Sequence, residues 1–207
     1  MTIPLKYRKS PLAAATFSFQ ELAEGQTYIT LYGAKDQDGF FLTSNSAAYS
    51  DFPYTLVVTG GSGVYETILN ATFATGFGKT QTLNGNMLVN VPMASGTSGA
   101  SPLHKVTITV SKNATQLVQE ISTELTMTSP TPSTVQIKAI KLVVPKTVFN
   151  VGDTLNIVVL AEKKCTAGAN HNVVVSHDPA NRNVDSVTGL THVNNQMVFY
   201  IPVEADI

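Results

Sequence analysis

Apolar residues recur at every second position along much of this chain, and that spacing constrains its fold more than any motif does. Thr107-Ile108-Thr109-Val110, Gln136-Ile137-Lys138-Ala139-Ile140-Lys141-Leu142 and Asn195-Gln196-Met197-Val198-Phe199-Tyr200-Ile201 all alternate in this way. A pleated strand sends successive side chains to opposite faces, so each segment has one face to bury. A helix competes over Asn113 to Met127, where Leu117, Ile121 and Leu125 also fall four apart with Asn113 as a cap. The threonines there, and the strands on either side, favour a strand with Leu117, Ile121, Leu125 and Met127 on one face. The expected fold is all-β. Some ten strands joined by Ser/Gly loops, with no helix-sized crossover, predict an antiparallel β-sandwich of jelly-roll type.

Charge is the second constraint. Asp, Glu, Lys and Arg make up 13% of the 207 residues, against 43% hydrophobic residues, where an ordinary domain carries about 25% charged residues. The exterior must therefore be coated with Thr, Ser, Asn and Gln or covered by other subunits. Net charge is -1 and the basic residues are dispersed, which removes the footprint of a protein that grips nucleic acid or an anionic membrane. The local exception is Lys6-Tyr7-Arg8-Lys9. One cysteine, Cys165, cannot form an internal disulfide and fits a reducing compartment. No apolar run approaches the roughly 18 residues that span a bilayer. Pro4, Lys6, Arg8, Lys9 and Pro11 break the region where a signal peptide needs its apolar core, so no secretion signal is expected. The sequons Asn70-Ala71-Thr72 and Asn113-Ala114-Thr115 then read as chance matches.

Proline and charge make residues 1–15 an extended arm, with a single sandwich domain over 16–207. The alternative is a split into two β-domains near 128–134, where Pro130 and Pro132 lie. Within the body, Asp38-Gly39 predicts a tight hairpin after Tyr28 to Tyr32, and Gly60-Gly61-Ser62-Gly63 predicts a second between Tyr54–Thr59 and Val64–Leu69. Asn84-Gly85 predicts a further turn. Lys138, Lys141 and Lys146 have the character of lysines that guard a sheet edge.

No segment predicts a reaction. Gly76-Phe77-Gly78-Lys79-Thr80 imitates the end of a phosphate loop, but Phe73 stands where the first glycine is required and no helix follows. Asp36-Gln37-Asp38-Gly39 imitates part of a calcium loop without its downstream glutamate. Cys165, His171, His177, His192 and Asp178 are the densest group of candidate ligands, yet their spacing matches no zinc pattern and Cys165 sits in no nucleophile motif. His177-Asp178-Pro179 reads as the end of a strand, its aspartate bonding nearby backbone. Neither paired carboxylates nor a Gly-x-Ser-x-Gly elbow occurs. The expectation is no catalytic residue, no metal, no cofactor and no enzyme.

Ala15-Thr16-Phe17-Ser18-Phe19, Tyr28-Ile29-Thr30-Leu31-Tyr32-Gly33, Phe149-Asn150-Val151-Gly152-Asp153-Thr154-Leu155, His177-Asp178-Pro179-Ala180-Asn181-Arg182 and Phe199-Tyr200-Ile201-Pro202-Val203 resemble words found in β-rich virion structural proteins of tailed bacterial viruses and their relatives. The resemblance spans most of the chain. It implies a capsid, decoration or neck component made in the host cytoplasm, which assembles with itself, for instance as a trimer, and with other virion proteins. It brings no active site. In that reading Lys6, Tyr7, Arg8 and Lys9 of the arm are assembly residues. The alternative function is a carbohydrate-binding or adhesive module, whose sugar platform would have to use tyrosine because the chain has no tryptophan.

Overall fold

The computed structural model describes residues 15–16, 26–48, 50–59, 63–95, 103–126, 135–164, 171–182 and 196–204. Every regular element among them is a strand: β1 (Ala15–Thr16), β2 (Gln26–Asp36), β3 (Gly39–Thr43), β4 (Tyr54–Thr59), β5 (Tyr65–Gly76), β6 (Gln81–Ser95), β7 (Leu103–Lys112), β8 (Thr115–Ile121), β9 (Leu125–Thr126), β10 (Gln136–Phe149), β11 (Thr154–Lys164), β12 (His171–Ser176) and β13 (Val198–Glu204). The arm residues Lys6, Tyr7, Arg8 and Lys9, together with Cys165, His192 and the 128–134 stretch, lie outside the described residues.

The strands form one mixed sheet folded over as a β-sandwich. One half runs β10-β6-β13-β2, with β1 and β3 on the far edge of β2; the other runs β5-β11-β7-β8, with β9 also on β7. A single parallel bridge between Phe41 and Ala74 joins the halves, and β12 and β4 extend the sheet from the end of β6. The alternation read from sequence is the reason for this layering. In β11, Leu155, Ile157, Val159 and Ala161 point inward and are fully buried, as are Val106, Ile108 and Val110 on β7 and Val89 and Val91 on β6. Aromatic rings tie the halves together: Phe73 of β5 meets Phe199 of β13 at 5.3 Å and Phe40 of β3 at 5.3 Å.

Prolines sit where pairing lapses. Pro145 lies in a bulge of β10 opposite Asn84, between the Val144–Gly85 and Thr147–Leu83 pairings. Pro202 lies where β13 leaves its ladder with β6, between Tyr200 and Val203. Proline donates no hydrogen bond, so an inner strand tolerates it at such gaps.

Several local expectations are corrected. Asn84-Gly85 makes no turn; Gly85, with φ of 110°, is an irregular point inside the continuous β6. The strands flanking Gly60 to Gly63 do not form a hairpin: β4 pairs with β12, while β5 pairs with β11 and β3. Each is paired with a strand distant in sequence rather than with its neighbour. The first hairpin forms one residue earlier than predicted. Gln37 and Asp38 make the turn, Gly39 takes the positive φ of 133°, and Asp36 Oδ1 accepts the Asp38 and Gly39 N–H groups. Between Asn113 and Thr126 the regular structure is β, in β8 and β9, but Ile121 is 55% exposed rather than inward; Met127 lies outside the described residues.

Candidate functional site

The residues that sequence analysis singled out for chemistry serve mostly as structure. Asp36 is engaged in its hairpin turn. Phe77, inside the imitation phosphate loop, packs edge-on to Phe149 at 5.4 Å. No group of three or more metal-ligating side chains occurs among the described residues.

His177 and Asp178 are both fully buried just beyond β12, but they face different partners. His177 Nε2 lies 3.2 Å from Thr55 Oγ1, its ring stands edge-on to Phe40 at 5.2 Å, and its Nδ1 has no hydrogen-bond partner. Burial lowers this imidazole to about 4, and the Lys35 charge acts in the same direction. Asp178 instead accepts the Arg182 backbone N–H, Nε and Nη2, while Arg182 Nη2 also reaches Ser50 O at 2.6 Å. The pair fastens the chain after β12 to the loop after β3. Its aspartate bonds nearby backbone as predicted, and the arginine fork is an addition.

Sequence reasoning missed a second buried histidine. His104 on β7 is 2% exposed, and neither ring nitrogen has a hydrogen-bond partner. Burial, then the charge of the buried Lys163 opposite it on β11, lowers its imidazole to about 4. Its signal in the sequence was its place in the inward row of β7, two residues before Val106.

The outer face of the first half carries an open groove of about 510 Å³, lined by Tyr28, Asn86, Leu88, Asn90, Lys141 and Tyr200 and floored by Met87. Register assembles it. Leu88 lies between Lys141 on β10 and Tyr200 on β13, and Tyr28 on β2 pairs with Pro202, one diagonal step from Tyr200. The outward alternation Asn86-x-Leu88-x-Asn90 was visible in the sequence, but the expected turn at Asn84-Gly85 obscured it.

The second open surface is the side where the halves end. Among the described strands, β10 pairs only with β6 and β8 only with β7. Lys112 Nζ donates to Val148 O at 2.8 Å and Lys138 Nζ to Thr123 O at 3.0 Å across this side. Around them Ile121, Ile137, Val143 and Val148 are 45–66% exposed. The gatekeeper lysines do lie on this edge strand, but Lys138 is tied to Thr123 and Lys146 to Glu204.

No protein-family model and no curated sequence matches the chain. Its fold is similar to that of a CocE/NonD family hydrolase from Staphylococcus aureus, at 13% identity and a TM-score of 0.52, over 87% of this chain and 37% of that one. It is also similar to an aminopeptidase from a marine sediment Thaumarchaeota archaeon, at 10% identity and a TM-score of 0.51, over 88% of this chain and 37% of that one. The chain thus spans little more than a third of these enzymes. The expectation of no enzyme is corrected by these matches: hydrolases carry this β-fold, so an all-β chain without a recognisable nucleophile motif gives no ground for excluding catalysis. A structure of infectious bursal disease virus, Gt strain, also matches, at 13% identity over 82% of this chain and 40% of that one; its TM-score of 0.36 carries no argument about function. Among the described residues no helix is long and apolar enough to cross a membrane.

Proposed function

We propose that this chain is a structural assembly module, a virion component that docks the side of its sandwich formed by β8 and β10 against other copies and neighbouring subunits. The observation that carries this reading is the pairing of a 14-residue edge strand with exposed apolar side chains around it, Ile121, Ile137, Val143 and Val148. A long edge of this kind offers unpaired main-chain groups and apolar area together, which is what an assembling partner buries. The resemblance of the turn and strand words to virion proteins of tailed bacterial viruses supports the same reading. Residues 16–207 act in it as one sandwich domain, and the arm, with Lys6, Tyr7, Arg8 and Lys9, lies across the adjoining subunit, adding contact area as it orders.

The test is the oligomeric state by size-exclusion chromatography with light scattering, followed by electron microscopy of any large species. Wild type should self-associate. The double variant Ile137→Lys/Val143→Lys should be smaller with an unchanged melting temperature, and removal of residues 1–15 should weaken association while the β-core stays folded. A wild-type chain that remains monomeric at its solubility limit would sink the proposal.

A further inference from the structure

We infer that the groove across β2, β13, β6 and β10 binds an oligosaccharide. Its lining has two halves of one recognition chemistry. Tyr28 and Tyr200 are diagonal neighbours, roughly 7–8 Å apart at the backbone, and with Leu88 they offer half-buried apolar surface on which the C–H face of a sugar ring can lie. Asn86 and Asn90 flank Leu88 on the same strand, and each amide both donates and accepts, as a rim of hydroxyl groups requires.

These polar groups are uncommitted. Among the described residues, the side chains of Tyr28, Asn86, Asn90 and Tyr200 have no hydrogen-bond partner. The asparagines stand four residues apart along β6, a span of roughly 13 Å, which exceeds one sugar ring and selects an oligomer. Among the described residues Lys141 is the one charged residue of the lining and stands at the β10 end, where it meets either a hydroxyl or an acidic substituent. A polyanion would need more cations than this. An apolar chain would strip water from both amides without replacing it. A peptide strand would need a free sheet edge; among the lining strands that edge belongs to β10, while β6 and β13, which carry Asn86, Leu88, Asn90 and Tyr200, have strands on both sides. The lining rests on paired strands, so little ordering is lost on binding.

The groove adjoins the assembly surface, since Val143 on β10 pairs with Asn86 and stands on the same outward row as Lys141, so glycan binding and self-association are read separately on the same samples. The full chain should bind on a glycan array displaying neutral oligosaccharides alongside uronic- and sialic-acid oligosaccharides, and calorimetry on the strongest member gives the affinity. Tyr200→Ala and the exposed-site variant Asn86→Ala should each weaken binding about tenfold, while Tyr200→Phe should stay within about threefold. Lys141→Ala should weaken acidic glycans and leave neutral ones unchanged, which identifies the substituent. Melting temperature and light scattering on the same variants separate loss of the groove from loss of fold or assembly. No binding anywhere on the array overturns the inference, and so does binding that Tyr200→Ala and Asn86→Ala leave intact.

Discussion

The Asn113 side-chain amide donates to Asp153 Oδ1 at 2.9 Å and joins two turns 40 residues apart, one between β7 and β8 and the other between β10 and β11. Asn113 holds a left-handed φ of 52°, its Oδ1 accepts the Thr154 N–H at 2.9 Å, and its carbonyl accepts the Asn156 amide at 2.7 Å. Asp153 Oδ2 in turn accepts the Asn150 N–H and pairs with Lys112 Nζ. The side chain of this sequon is thus fully used in holding the sandwich shut at one end.

Asn113→Ala should therefore destabilise the protein by about 2 kcal/mol, through lost hydrogen bonds and a strained backbone. Asn113→Gly should lose less, because glycine accepts the left-handed conformation. Denaturant unfolding of the two variants checks the order, and an alanine variant as stable as wild type would show the lock to be slack.

Acid should unfold the protein in two windows. His104 and His177 are lowered from 6.5 to about 4, so the unfolded chain takes up their protons first. Stability falls as pH drops from 6.5 and levels off below 4, on the order of 3 kcal/mol per histidine at the limit. The Asp153 carboxyl is held at about 2 by hydrogen bonds from Asn113, Lys112 and Asn150. Its contribution is present above pH 4 and disappears as pH falls through 2. His104→Leu should remove about half of the first window, leaving the share of His177, and Asp153→Asn should flatten the second, as read from melting temperature against pH.

Gly33→Ala should cost about 1–3 kcal/mol by overpacking. An added Cβ would stand 2.8 Å from the Phe73 ring and 3.3 Å from that of Phe199, the rings that link the two halves. Gly33 N also donates to Met197 O at 2.9 Å, so the strand is not free to withdraw. Pairing Gly33→Ala with Phe73→Leu should recover part of the loss; a single variant with unchanged unfolding would show that the rings yield freely.

Arg182→Ala should destabilise by about 3 kcal/mol or more, because it leaves the fully buried Asp178 carboxylate without its fork. Asp178→Asn should be milder, since it removes the charge to be compensated. Thermal unfolding of the two single variants decides, and the reverse order would refute this account of the pair.

Alternation alone was enough to make this chain a β-protein and to sort most inward from outward residues, because a period of two is a local property of the backbone. It marked Leu155 to Ala161 and Val106 to Val110 as strand interiors, and the charge deficit marked a surface with few ions. Tertiary structure decided what those strands pair with. Asn84-Gly85 looked like a turn and lies inside β6, and β4 and β5 looked like a hairpin and lie on different partners, because turn residues permit a reversal while long-range burial determines whether it happens. Of the groove, only the outward alternation of Asn86, Leu88 and Asn90 was legible in the sequence, for the same reason: Tyr28, Asn90, Lys141 and Tyr200 come from four strands, and only the register between those strands puts them on one face.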